Sequence, residues 1–128
     1  GLNKDLGFSK EDRSENIRRA AEVAYLFNQA GVSVICAFIS PSASDREAAR
    51  EIIGKDSFVE IFMNTPLEEC EKRDPHGLYK RARAGEIREF TGISFAYEAP
   101  TQPAVSLDGS KLQIEECADR VLNHLENR

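Results

Sequence analysis

The chain has 128 residues, of which 41% are hydrophobic and 30% charged, with a formal net charge of -5. Those are the proportions of one soluble globular domain and are too few residues for two ordinary ones. The acidic balance argues against nucleic acid as a partner, and no apolar run approaches the roughly 20 residues of a membrane span.

In chain order, Ser9 stands as a helix cap with Asp12 at the capping-box position. Ile17, Ala20, Ala21, Ala24 and Phe27 recur at helical spacing, and Gly31 stops the helix. Val32 to Ile39 is a nearly unbroken apolar run, which predicts a strand buried on both faces of a parallel sheet. Ser44 and Glu47 form a second capping-box pair opening a short helix that ends at Gly54. Phe58 to Met63 reads as a second strand, and Thr65-Pro66-Leu67-Glu68 as a helix start. Asp74-Pro75-His76-Gly77 breaks that helix, and Leu78 to Ala84 forms another, closed by Gly85. Phe90 to Pro103 is loop-like, Ala104 to Leu107 a short last strand, and Ser110 introduces a C-terminal amphipathic helix. Strands alternating with helices predict an α/β fold with a parallel sheet, whose ligands gather at the carboxyl ends of strands, here Ser40-Pro41 and Asn64-Thr65.

Cys36, Cys70 and Cys117 are odd in number, without CxxC spacing, and each lies in an apolar pattern. Buried free thiols in a reducing, cytoplasmic compartment are the expectation. His76 and His124 offer no metal pair, so no protein-held metal is expected.

Four constellations could carry chemistry. Arg13, Asn16, Arg18 and Arg19 lie in the first helix, and Arg13 and Asn16 share one face suited to phosphate or sulfate. Spacing alone favours a solvated face paired with Glu11, Asp12 and Glu15. Ser40 leaves the expected strand where active-site groups gather, but has no neighbouring base and no nucleophile elbow. Arg73 to Phe90 holds five Arg or Lys residues in an acidic chain and resembles a lid that closes cations over polyphosphate, the alternative being an exposed helix whose charge Glu86 and Glu89 offset. Phe8 and Phe90 could stack on a base, a contact worth about 1–3 kcal/mol, although single loop phenylalanines are more often core anchors.

Together GLNKDLGFS, DRSENIRRAAEVA, FISP, RDPHGLYKRARAGEI, FTGI and YEAP, in that order, resemble the adenylylsulfate kinase (APS kinase) family over essentially the whole chain. The resemblance implies a P-loop nucleoside-kinase-like parallel sheet flanked by helices, in a single domain over 1–128, usually homodimeric. It implies ATP-dependent phosphorylation of the ribose 3′-hydroxyl of adenosine 5′-phosphosulfate (APS), giving PAPS and ADP in sulfate assimilation, with Mg²⁺ arriving on ATP. Phe8 and Phe90 match the aromatic pair around the APS adenine. Arg13 and Asn16 match the phosphosulfate contacts, with Ile39 and Ser40 beside the substrate. Ser40 also matches a family phosphoserine position, although in-line transfer needs positioned cations rather than a second nucleophile. Arg73, Lys80, Arg81 and Arg83 match the ATP lid, and Glu89 and Phe90 the loop closing on APS.

Three departures stand out. His76 replaces a lysine that contacts APS in the family, and an imidazole supplies less anion stabilisation at neutral pH than an ammonium. Ser42-Ala43-Ser44 replaces an aromatic and basic stretch. No GxxxxGK[ST] occurs, so the cradle for the ATP phosphates is expected upstream of Gly1, with the N-terminal strand. The alternative expectation is an inactive APS- or PAPS-binding regulatory domain, fused to ATP sulfurylase.

Overall fold

A computed structural model describes residues 1–128, which group into two compact units, Gly1–Phe58 and Val59–Arg128. In the first unit, α1 (Lys10–Gln29) starts where expected: Ser9 Oγ accepts from the Asp12 N–H at 3.1 Å. The reciprocal arm of the box goes elsewhere, because Asp12 Oδ2 accepts from the Gly7 N–H at 3.0 Å. Gly31, at φ +78°, turns the chain out of α1 in the left-handed conformation that glycine adopts without a Cβ clash. The next helix, α2 (Ala43–Ile53), packs on α1 through small side chains, with Ala21, Ala24 and Ala49 buried. Ser14 Oγ donates to Asp45 Oδ2 at 3.0 Å and ties the two helices together.

Two expectations fail in this unit. The cap of α2 is Ser42 rather than Ser44, and the two hydroxyls hydrogen-bond each other at 2.8 Å instead of closing a capping box. More consequentially, Val32 to Ile39 forms no strand: its backbone has no ladder partner, and Ile35 is 97% exposed. An apolar pattern states what a segment can bury, whereas a strand also needs a neighbour to accept its N–H and C=O groups. Cys36 is exposed with it, and Cys70 and Cys117 are half-buried, so none of the three free thiols is the buried residue expected.

In the second unit, β1 (Ile61–Met63) pairs in parallel with β2 (Val105–Leu107), placing Ile61 beside Val105 and Met63 beside Leu107. Pairing stops short of the six residues expected for β1, as Pro103 has no N–H to continue the ladder beyond Ala104. Between the strands lie α3 (Leu67–Arg73) and α4 (Leu78–Arg83). Thr65 does not cap α3: Pro66 occupies the cap, and Thr65 Oγ accepts from the Gly109 N–H at 3.1 Å. That bond joins the exits of β1 and β2, and any Cβ on Gly109 would lie 2.9 Å from the same hydroxyl. The final helix, α5 (Ile114–Glu126), packs on β2, whose Leu107 is 2% exposed. Its capping box is Gln113 with Glu116, not Ser110, since the Ser110 hydroxyl and N–H both bond Asp108 Oδ1. No helix is long and apolar enough to cross a membrane.

Candidate functional site

Capping of α1 decides how the first unit presents its polar end. The turn before Ser9 leaves the Phe8 ring 83% exposed, so it is not a core anchor, while the Phe8 carbonyl accepts from Arg13 Nε at 2.9 Å. The guanidinium one turn into the helix thus fixes the backbone that carries the ring. Asn16, on the same face, accepts from the Asn3 amide, and Asn3 Oδ1 is buried without a partner.

Arg18 and Arg19 behave as the solvated alternative foresaw. Arg18 bonds Glu15 through two nitrogens at 2.7 and 3.0 Å and reaches Glu22 at 3.3 Å. Arg19 bonds Glu15 at 2.8 Å and grips both oxygens of Asp5 at 2.7 and 2.9 Å. Hydrogen bonds from Arg18, and then Arg19, pull the Glu15 carboxyl down to about 2. Arg19 holds the N-terminal segment on the helix while Arg18 pairs within it, and Arg13 and Asn16 stand as the polar pair at the Phe8 end.

Ser40 follows the uncovered apolar run and not a strand. Its φ of +42° is left-handed, a conformation costly for a residue with a side chain. Arg46, on the first turn of α2, holds it by donating from Nη1 to the Ser40 carbonyl at 2.7 Å. Ile39 beside it is 66% exposed. Alongside the run, an open apolar groove of about 360 Å³ is lined by Leu2, Ala20, Val23, Phe27, Val34 and Phe38, with little polar character to orient a small ligand.

In the second unit, Asp74 organises the basic segment. It ends α3, and its carboxylate accepts from the N–H groups of Tyr79 at 3.1 Å and Lys80 at 3.0 Å, capping the next helix across the Pro75–Gly77 turn. Desolvation opposes its ionisation, but the bonds from Lys80, Tyr79 and Leu78 and the charge of His76 outweigh it and hold the carboxyl below its usual range. Three of the four expected lid cations are engaged by carboxylates: Arg73 by Glu69 at 2.8 Å, Arg81 by Glu86 at 3.0 Å, and Arg83 by Glu71 at 2.6 Å. Arg73 also donates to the Gly109 carbonyl at 2.7 Å. Lys80 and His76 are exposed, and Lys80 carries no ion pair.

Phe90 is the most tightly prepared of the expected residues. Its N–H donates to Ser94 Oγ at 2.9 Å, and its carbonyl accepts from Ile93, Ser94 and Phe95. Glu89 before it has a φ of +52°, so the loop turns sharply into the ring. Tyr79 from α4 forms a T-shaped pair with that ring, with centroids 5.1 Å apart and planes at 73°. Burial, and then the Cys70 thiol alongside, push the Tyr79 phenol up. Sequence reasoning singled out Phe90 but missed Tyr79 and Asp74 beside it, and singled out Ser40 but missed Arg46. An Asp directly before Pro-x-Gly was the available signal for Asp74, since such a carboxylate can reach back-to-back helix ends. Nowhere do three or more His, Cys, Asp or Glu side chains converge as metal ligands would.

A family model described as adenylylsulphate kinase matches residues 1–108. The chain belongs to the adenylylsulphate kinase family. It is 59% identical over 122 residues to the adenylyl-sulfate kinase of Bacteroides thetaiotaomicron, covering 95% of this chain and 61% of that protein. Across all of its length it is 53% identical to the Marinobacter nauticus enzyme of the same name, of which it covers 64%. Among solved structures, the Mycobacterium tuberculosis APS kinase in complex with AMPPNP and APS superposes with a TM-score of 0.93 at 47% identity, over 98% of this chain and 73% of that one. The chain thus spans about three fifths of the curated adenylyl-sulfate kinases it matches. The α/β, P-loop kinase class expected from the motifs stands, with the parallel β1–β2 pair as its visible sheet.

Proposed function

We propose that this chain carries the acceptor side and lid of an APS kinase that moves the γ-phosphoryl group of MgATP to the ribose 3′-hydroxyl of APS. The 3′-oxygen forms a bond to γ-phosphorus as the bond to the ADP oxygen breaks, and the hydroxyl proton is released. The observation that carries the reading is the superposition, over almost the whole chain, on a kinase whose structure holds APS and an ATP analogue. In this reading residues 1–128 belong to one kinase domain, since the family match runs through both units.

Phe8 and Phe90 offer the ring faces for adenine, with Arg13, Asn16, Ile39 and Ser40 along the phosphosulfate end and His76 and Glu89 closing on it. Lys80 is the cation immediately available to ATP phosphates. Arg73, Arg81 and Arg83 would exchange carboxylates for phosphate, a cheap trade because exposed ion pairs contribute only about 0–1 kcal/mol. Negative charge on the transferring group favours it further. The Ser40 conformation fits a positioning role, its carbonyl already held by Arg46. In this reading Mg²⁺ enters on ATP, as part of the substrate. We place the protein in the cytoplasm as a homodimer, either free-standing or fused to ATP sulfurylase; one relative, from Thiobacillus denitrificans, is described as hexameric.

The replacement of the lid lysine by His76 favours a second reading, a regulatory domain that binds APS or PAPS without turnover. One measurement separates the two: ADP release by the complete gene product, assayed with ATP and APS together and singly. The kinase reading expects ADP only when both are present. APS binding without ADP would replace it with the regulatory one. A polypeptide of Gly1–Arg128 alone, having no GxxxxGK[ST], is expected to release none.

A further inference from the structure

Phe90 has its backbone fixed from both sides, by Ser94 at its N–H and by three N–H groups at its carbonyl, but its ring direction is not fixed by those bonds. The ring that packs against it is that of Tyr79. This side chain reaches from α4, packs against the Phe90 ring in a T-shaped pair with centroids 5.1 Å apart, and is itself half-buried alongside Cys70 of α3. Its backbone N–H is held by Asp74, so the ring stands on the first turn of a capped helix rather than on a loop. The adjoining residues Lys80, Arg81 and Arg83 are the basic face of the same helix.

We infer that Tyr79 is a positioning residue: it sets the angle of the Phe90 ring and so couples the basic helix α4 to the aromatic surface offered to the purine of the acceptor nucleotide. Edge-to-face packing is directional, because the positive ring edge seeks the negative face of its neighbour. Movement of α4 would therefore turn Phe90, linking cation placement at the donor side to the acceptor pocket. The inference rests on the reading of Phe90 as the adenine-stacking residue, and the experiment is arranged to separate the two.

In the complete gene product, Tyr79→Leu removes the aromatic ring and Tyr79→Phe keeps it while deleting the hydroxyl. The expected result for Tyr79→Leu is a KM for APS raised about three- to tenfold, the scale of one aromatic pair, with the KM for ATP changed less than about twofold. Tyr79→Phe should remain near the parent in both. Phe90→Leu is the control for the underlying reading. If Phe90→Leu raises the APS KM and Tyr79→Leu does not, the coupling is overturned and the site reading stands. If Phe90→Leu leaves the APS KM unchanged, the site reading fails and takes the coupling with it. Equal rises in both KM values for Tyr79→Leu, without recovery in Tyr79→Phe, would mean that Tyr79 only supports the fold, which also overturns the proposal. Should Tyr79→Leu not fold, Tyr79→Met, ringless but of similar reach, takes its place in the same comparison.

Discussion

Glu15 shows how much can depend on one carboxylate at the surface of α1. It receives hydrogen bonds from Arg18 and Arg19, and Arg19 continues to Asp5, so Glu15 steadies one of the side chains that pin the loop before the helix. With its carboxyl drawn from 4.5 to about 2, the interaction is fully present above the unfolded value near 4.5 and is lost as pH falls towards 2. Comparing thermal unfolding of the protein with that of Glu15→Gln should show a gap at pH 6 that closes steadily between about pH 4.5 and pH 2. A gap that persists undiminished at pH 2 would show that Glu15 acts through something other than its charge. At this scale the sequence was readable where partners are near: the pairing of Arg18 and Arg19 with Glu15 follows from helical spacing. It was silent where a side chain meets backbone, as Arg13 does at the Phe8 carbonyl, because carbonyls carry no sequence signature.

Helix ends divide along the same line. Ser9 caps α1 as its local pattern predicts, but Thr65 does not cap α3, its hydroxyl being claimed by an N–H 44 residues away. Ser110 loses its capping role to Asp108 two residues earlier, and α5 begins instead at Gln113. Hydroxyl groups choose among competing donors and acceptors, and only the folded chain presents the distant ones. Asp74 is the converse case: its backbone N–H closes α3 and its carboxylate opens α4, so it governs a basic helix of only six residues that could not persist alone. Replacing it with Ala should let that helix fray. Hydrogen exchange at the amides of residues 79–83 is expected to quicken roughly five- to tenfold, with α5 unaffected. Uniform acceleration in both helices would instead indicate global destabilisation, and no change would remove Asp74 from the account of α4.

Across the molecule, what the pattern of apolar residues promised and what the fold delivers differ most at Val32 to Ile39. The run was legible as material for burial, and the parallel sense of the sheet was legible from the alternation of strands with helices. Which strand lies beside which is decided by contacts between distant segments, and the run has no such neighbour here. The same separation applies to the site: its residue types were visible as motifs, and Glu86 as an offset to their charge, while the pairing of Arg83 with Glu71 twelve residues away emerged only from the folded second unit. The uncovered run also has a colloidal consequence. Eight successive residues without charge or proline, rich in β-branched and aromatic side chains, make a ready template for intermolecular β-pairing. A polypeptide of these 128 residues should therefore scatter light increasingly with concentration and time. Ile35→Lys, at a side chain 97% exposed, should suppress that scattering while leaving the unfolding midpoint within a degree or so. Equal scattering by both proteins would acquit this segment. Its solvent-facing β-branched side chains would otherwise set the concentration at which the polypeptide can be handled, through the kinetics of self-association and not through the free energy of folding.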